Sequence, residues 1–247
     1  MPFATTLPAG FATDRDFYLW HLGIPLMGVL ALLLLELTGM DAMVSSWFYD
    51  PASESFPLRY NAIFEILTHL WVKYLVVLIG FAVVAAYVMS FLIPAFKDRR
   101  RLLLFLSLAL TLAPAAVSLL KASSLRNCPY DLLEYGGYAV HLGLFDGAVP
   151  GQAPGHCFPS GHASAGFCLL AFYFAGISLR NRRLALLGLW GGLAAGMLFG
   201  MARVAQGAHF LSHNLWSAVV CWLVILALYA AIMGRPKSAQ AAPATTG

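Results

Sequence analysis

Six long apolar runs set the terms for this chain. They cover residues 17–37, 71–93, 102–120, 162–179, 184–201 and 210–233. Each lies near the roughly 20 residues that a helix needs to cross a bilayer. With 60% of its 247 residues hydrophobic, 11% charged and a mean hydropathy of +0.77, the chain carries more apolar surface than a soluble domain can hide. The expectation is an all-α integral membrane protein: a six-helix bundle over residues 17–234, preceded by a cytoplasmic segment 1–16 and followed by a small, Ala-rich, disordered cytoplasmic tail 235–247. Asp14, Arg15 and Asp16 precede the first run and no clear small-residue cleavage site follows it, so it reads as a retained anchor rather than a removed signal peptide.

Basic residues orient the bundle. Lys97, Arg99, Arg100 and Arg101 fall between runs two and three, and Arg180, Arg182 and Arg183 between runs four and five. Arg15, Arg235 and Lys237 flank the ends. Six spans put all of these on one side, the cytoplasmic one, together with both termini. Arg59, Lys73, Lys121, Arg126 and Arg203 fall on the other side, where the rule expects few cations, so they need another reason to be there. The net charge of +4 follows from this topology, and no Lys/Arg run interleaved with aromatics points to nucleic acid.

Two outer loops are long. Residues 39–70 carry Trp47-Phe48-Tyr49 and then Asp50-Pro51, which suits a segment in the headgroup layer ended by a turn. Residues 121–161 are rich in Gly, Pro and Asn, and a loop of that length between motif-bearing ends reads as functional. Cys128 and Cys157 both fall in it. On an oxidising periplasmic side they could pair, clipping a loop of about 30 residues for about 3 kcal/mol, or remain free thiols. Cys168 and Cys221 lie inside runs and read as packing residues.

Chemistry concentrates at Pro159-Ser160-Gly161-His162, where the second long loop meets the fourth run. A helix N-terminus offers unpaired amides and a favourable dipole to an anion. Glycine permits close approach, and histidine exchanges protons near neutral pH. The same outer face receives Lys121 from the end of run three, Arg203 from the end of run five, and His209 with His213 from the start of run six. Cations and a helix N-terminus gathered at one spot call for an anion. Two histidines fit in-line displacement at phosphorus, one attacking and one protonating the leaving oxygen.

In these residues the chain resembles the type 2 phosphatidic acid phosphatase family, which includes undecaprenyl-diphosphate and lipid A phosphatases. The family pattern joins Lys-(six residues)-Arg-Pro, Pro-Ser-Gly-His, and Ser-Arg-(five)-His-(three)-Asp. Here the parts read Lys121-(six)-Cys128-Pro129, Pro159-Ser160-Gly161-His162, and Ala202-Arg203-(five)-His209-(three)-His213. The resemblance implies that Lys121, Ser160, Gly161 and Arg203 hold the phosphate oxygens. It implies that His209 becomes phosphohistidine and that His162 serves as acid and then base, with no metal or other cofactor, because fixed cations supply the electrostatics.

Three departures stand out. Cys128 replaces the motif arginine, and Arg126 is the candidate substitute for phosphate binding. Ala202 replaces a serine. His213 replaces the aspartate that orients the nucleophile; at (i, i+4) it reaches His209 and accepts its N–H only while neutral, so activity is expected to fall as His213 protonates below about 6.5. His21, His69 and His141 read as packing residues, and His156 as a neighbour of the site. His209 and His213 also have the spacing of a metal or haem pair, but no carboxylate or cysteine completes such a set and Arg203 opposes a cation. Glycines over 188–196 read as close helix packing. The expected activity is hydrolysis of a phosphate or diphosphate monoester on a membrane lipid (undecaprenyl diphosphate, lipid A or a glycerophospholipid phosphate). Phosphotransfer to another lipid, or non-catalytic binding of anionic lipid, are the alternatives.

Overall fold

The computed structural model describes residues 16–17, 19–66 and 71–233, the side chains of 71–73 excepted. Among these residues helix is the sole regular structure; two isolated bridges, Asp50 with Ser55 and Leu132 with Ala139, pin loops. A π-helical turn, Leu19–Gly23, leads into α1 (Ile24–Leu35). There follow α2 (Met40–Ser46), α3 (Ala62–Glu65), α4 (Trp71–Met89) and α5 (Arg100–Ala122). Helices α6 (Gly161–Phe167) and α7 (Ala171–Ser178) are joined through the 3-10 turn Cys168–Leu170. The last two are α8 (Arg182–Ala205) and α9 (Leu211–Met233). Residues 1–15 and the tail 235–247 lie outside the described residues.

All six apolar runs are helical, but fewer meet the requirements of a full span. Four helical stretches are long and apolar enough: Pro94–Ala122, Gly161–Ser178, Arg182–Ala205 and Leu211–Met233. A fifth counts if Leu19–Leu35 and Met40–Ser46, bent by 76°, form one broken span. Four or five such spans are therefore found among the described residues, and the second run adds the shorter apolar helical stretch Tyr74–Met89. In the first run the helix closes at Leu35, whose carbonyl accepts from the Thr38 hydroxyl at 2.7 Å. The second run ends at Met89 rather than Ile93, because Ile93 precedes Pro94 and is forced into extended backbone at φ −105°, ψ 116°.

The core forms where α5, α6–α7 and α9 meet. Phe105, Ala109, Ala113 and Val117 of α5 face Phe167, Phe174, Cys221, Ile225 and Tyr229, all buried. The free cysteines Cys168 and Cys221 are packing residues within it. Helix α8 lies against α6–α7 at backbone contact distance. A Cβ on Gly166 would sit 2.3 Å from the Gly196 nitrogen, one on Gly176 2.2 Å from that of Ala185, and one on Gly188 2.2 Å from that of Tyr173. Where the surrounding lipid offers no hydrophobic gain, close backbone approach between small residues is what makes helices associate. The outward faces are apolar, with Phe81, Leu187 and Leu198 about 70% exposed. His21 is a buried packing residue, its ring nitrogens 2.7 Å from the Phe17 carbonyl and 2.9 Å from the Tyr173 hydroxyl.

The long loop is built rather than loose. Residues 124–126 pair with 155–157 through the amides of Gly155, His156 and Cys157, and Cys128 and Cys157 are joined in a disulfide. Gly155 is required there: a Cβ would fall 2.3 Å from the Asn127 Cα. A second apolar cluster of Phe56, Leu132, Tyr135, Ala139 and Phe210 ties both outer loops together over the end of the bundle.

Gly166→Val forces a branched side chain into the α6–α8 contact. Overpacking of this kind costs about 1–3 kcal/mol, so thermal unfolding in detergent should shift down by several degrees. Gly80→Ala, where a Cβ would meet nothing within 4 Å, should leave the transition unchanged.

Candidate active site

Four helix ends meet beneath the loop cap. Helix α5 carries Lys121 in its last turn, α6 opens at Gly161, α8 carries Arg203 in its last turn, and α9 opens two residues after His209. Hydrogen bonds lock the α6 and α9 ends together. The Ser160 amide donates to the His213 carbonyl at 3.1 Å, and the Ser217 hydroxyl donates to the Ser160 carbonyl at 2.9 Å and the His213 carbonyl at 2.8 Å. Ser160 is the N-cap of α6, its hydroxyl accepting from the Ala163 amide at 3.4 Å. Over Gly161 there is open space, since a Cβ would meet nothing within 4 Å. Packing does not demand glycine there, whereas access to the helix end does.

The histidines converge. The His162 and His209 rings are 6.4 Å apart between centroids, and the Nδ1 atoms of His209 and His213 are 3.4 Å apart. At that distance only one of the two Nδ1 atoms can carry the shared proton. His213 is fully buried, edge-on to Phe158 and Phe210, and its Nε2 has no hydrogen-bond partner. His209 lies in the loop between α8 and α9 and is 2% exposed. Its charged form is disfavoured by burial first and then by Lys121, His162 and Arg203, against a smaller opposing hydrogen bond to the Cys157 backbone carbonyl. The imidazole is held neutral well below 6.5.

Arg203 is bound from one side only. Its NH1 donates to Glu65 Oε2 at 2.8 Å and Gln206 Oε1 at 2.6 Å, while its buried Nε has no hydrogen-bond partner among the described residues. Gln206 completes the brace by donating to Glu65 at 2.9 Å and to the Leu58 carbonyl at 3.3 Å. A buried guanidinium N–H left unbonded beside Lys121 is a donor awaiting an acceptor.

Arg126 is engaged elsewhere. Its NH1 and NH2 grip both carboxylate oxygens of Glu36 at 3.0 and 3.1 Å, its Nε donates to the Leu142 carbonyl at 3.0 Å, and its guanidinium lies over the Phe158 ring. The structure thus gathers Lys121, Ser160, Gly161, His162, Arg203, His209 and His213 and sets Arg126 into an ion pair behind Phe158. His156 is exposed, and His141 stacks on Phe210; His69 lies outside the described residues.

Cys157 Sγ, His209 and His213 present ligand atoms within 4.8 Å of one another, the arrangement closest to a metal site among the described residues. The sulfur is bonded to Cys128, so it is not a thiolate, and Lys121 and Arg203 oppose a cation.

Three acidic residues belong to the site's support and are not evident in the motif spacing: Glu36, Glu65 and Asp41. The Asp41 carboxylate accepts from both the backbone amide and the hydroxyl of Ser212, in the first turn of α9. The available signal was charge balance, because acids beside apolar runs on an outer face with surplus cations are candidate partners.

Residues 101–237 match the model of the PAP2 superfamily. The chain belongs to the PAP2 superfamily. It is 25% identical over 202 residues to a lipid A 4'-phosphatase of Francisella tularensis subsp. novicida (strain U112), covering 80% of this chain and 88% of that protein. No solved structure matches it. The superfamily match and this relative support lipid phosphatase activity, and several helices are long and apolar enough to hold the chain in a membrane.

Burial of neutral His209 makes stability depend on pH. The unfolded chain takes up a proton near 6.5 and the folded chain only well below it, so stability is full above 6.5 and declines as pH falls. Unfolding midpoints measured from pH 7.5 to 5 should drop toward acid, and His209→Gln should make that slope shallower.

Proposed function

We propose that the protein hydrolyses a phosphate or diphosphate monoester on a membrane lipid through a phosphohistidine at His209. One observation carries this reading: an attacking histidine, a second histidine, the cations Lys121 and Arg203, the latter with an unbonded buried N–H, and an open glycine at a helix end gather at one spot. The relative's substrate, lipid A, leads the candidates, with undecaprenyl diphosphate and glycerophospholipid phosphates beside it.

Lys121, Arg203 and the amides at the start of α6 receive the phosphate oxygens, drawing charge from the transition state into fixed donors that need no reorganisation. His209 attacks through Nε2, because its Nδ1 faces His213 Nδ1 at 3.4 Å and the Cys157 sulfur at 3.5 Å. In the tautomer required, His209 Nδ1–H donates to His213 Nδ1, and the His213 proton sits on Nε2. The P–O bond to the lipid breaks as the N–P bond forms, and His162 gives its proton to the departing oxygen. His162 then takes a proton from water, which attacks phosphorus, breaks the N–P bond and releases inorganic phosphate. Residues of the protein do the work otherwise assigned to a metal. Arg126 supports the site from its ion pair with Glu36 rather than by touching phosphate.

The site opens toward the periplasmic face of the cytoplasmic membrane in a six-span topology. Supporting this, the clusters Lys97–Arg101 and Arg180–Arg183 lie at the helix ends opposite the site, with Arg100 and Lys121 about 32 Å apart along α5.

His209→Ala should abolish phosphate release from lipid phosphates in detergent, with or without EDTA. His162→Ala should lower it by about 10²–10⁴-fold. Because His162 acts in both steps, the covalent route is tested by rapid quench of the unaltered protein during turnover: a protein that releases phosphate but never carries labelled phosphate in an acid-labile, base-stable form would count against it. Because His209 is held neutral, the acid limb of kcat/KM should lie below pH 6.5 rather than at it; a pH–rate profile decides.

A further inference from the structure

The cations facing the phosphate are fewer than the sequence suggested. Cys128 is in a disulfide, Arg126 is neutralised by Glu36, and Arg203 shares its charge with Glu65. One further guanidinium stands at this end of the bundle, and no motif contains it. Arg59 lies in the 3-10 turn Pro57–Tyr60, exposed, with its guanidinium carbon 3.6 Å from the centre of the Tyr130 ring and 5.5 Å from that of Tyr60. A guanidinium stacked on an aromatic face is held in place without spending its N–H donors.

Its support belongs to the catalytic loop. The Tyr130 amide donates to the Gly207 carbonyl at 3.0 Å, and the Leu58 carbonyl accepts from Gln206, so the residues on which Arg59 rests brace the segment between Arg203 and His209. Phe56 packs against Gly207, which adopts φ +66° and whose Cβ would meet that ring at 2.4 Å. Burial pushes the Tyr130 phenol up and Asp131 adds to this, whereas Arg59 and Arg203 both pull it down, so both guanidiniums lie within electrostatic reach of one hydroxyl. Asp131 feels Arg59 as well, yet among the described residues no carboxylate comes within ion-pair distance of Arg59.

We propose that Arg59, seated on Tyr130, binds a second anionic group on the substrate headgroup, so that the preferred lipid carries one negative group beyond the phosphate that is cleaved. The inference rests on the phosphatase reading and adds a specificity residue to it. In this reading Arg59 contributes to binding and not to the chemical step.

The test uses the full chain in neutral detergent and two synthetic lipids with the same tail: a phosphate monoester, and the same monoester bearing a second phosphate on its headgroup. Binding is measured calorimetrically on the His209→Ala protein. The doubly phosphorylated lipid should bind about tenfold more tightly or better, as a charge-assisted contact implies. Arg59→Ala should erase that preference while changing affinity for the monoester less than twofold, and Arg59→Lys should restore part of it. Equal weakening of both lipids, or no preference in the Arg59-containing protein, overturns the proposal. So does a defect seen only in association with anionic vesicles, which would make Arg59 a bilayer anchor. Phosphate release by the protein with His209 intact is followed in parallel. Preference in binding without release from either lipid sinks the phosphatase reading and spares the subsite; release without preference does the reverse.

Discussion

Mutual repulsion of cations is the constraint on which this end of the molecule depends. Lys121, Arg126 and Arg203 lie under one loop cap beside buried imidazoles, in surroundings where unit charges act on each other far more strongly than in water. The fold answers two of the three with carboxylates from outside the motif-bearing helices. Glu36, just past α1, takes Arg126 with both oxygens, and Glu65, ending α3, takes one side of Arg203. Among the described residues no carboxylate pairs with Lys121 or with the inner edge of Arg203, the charge an incoming phosphate would meet. Removing either carboxylate would leave a guanidinium poorly compensated, so the acids of the first outer loop are as much part of the site as the cations they hold.

That electrostatic arrangement needs a frame that does not give way. Glycine-mediated contact between α6–α7 and α8 sets the distance between the helix opening at Gly161 and the one closing at Arg203. The Ser160–His213–Ser217 bonds do the same for α6 and α9. Asp41 secures the first turn of α9 from above, and the disulfide between Cys128 and Cys157 ties down the chain just ahead of Ser160. Each tie meets the backbone next to a site residue, so the side chains inherit fixed positions from the main chain rather than from one another.

Two exchanges in the site then make sense together. An aspartate beside His209 would add a negative charge; His213 adds none, and its buried ring sits among Phe158 and Phe210 where a carboxylate would be costly. At position 128 an arginine would add a cation beside the disulfide partner Cys157; the cysteine there adds a covalent tie instead. Relative to the family pattern the pocket loses one charge of each sign, which leaves its net charge unchanged while its local chemistry shifts toward neutral groups.

Much of this was legible in the chain. Apolar runs announced helices, because a backbone in hydrocarbon must satisfy its own hydrogen bonds. Pro159-Ser160-Gly161-His162 and the Arg203-to-His209 spacing marked which helix ends would meet, because the residues stand at the starts and ends of apolar runs on one face. The pairing of Arg126 with Glu36, 90 residues away in sequence, the brace of Arg203 by Glu65 and Gln206, and the seat of Arg59 on Tyr130 were decided only in three dimensions. Local sequence specifies a helix and where it stops, since those depend on near neighbours and on Pro and Gly. It does not specify which distant carboxylate a guanidinium will find, since that depends on how the loops close over the bundle.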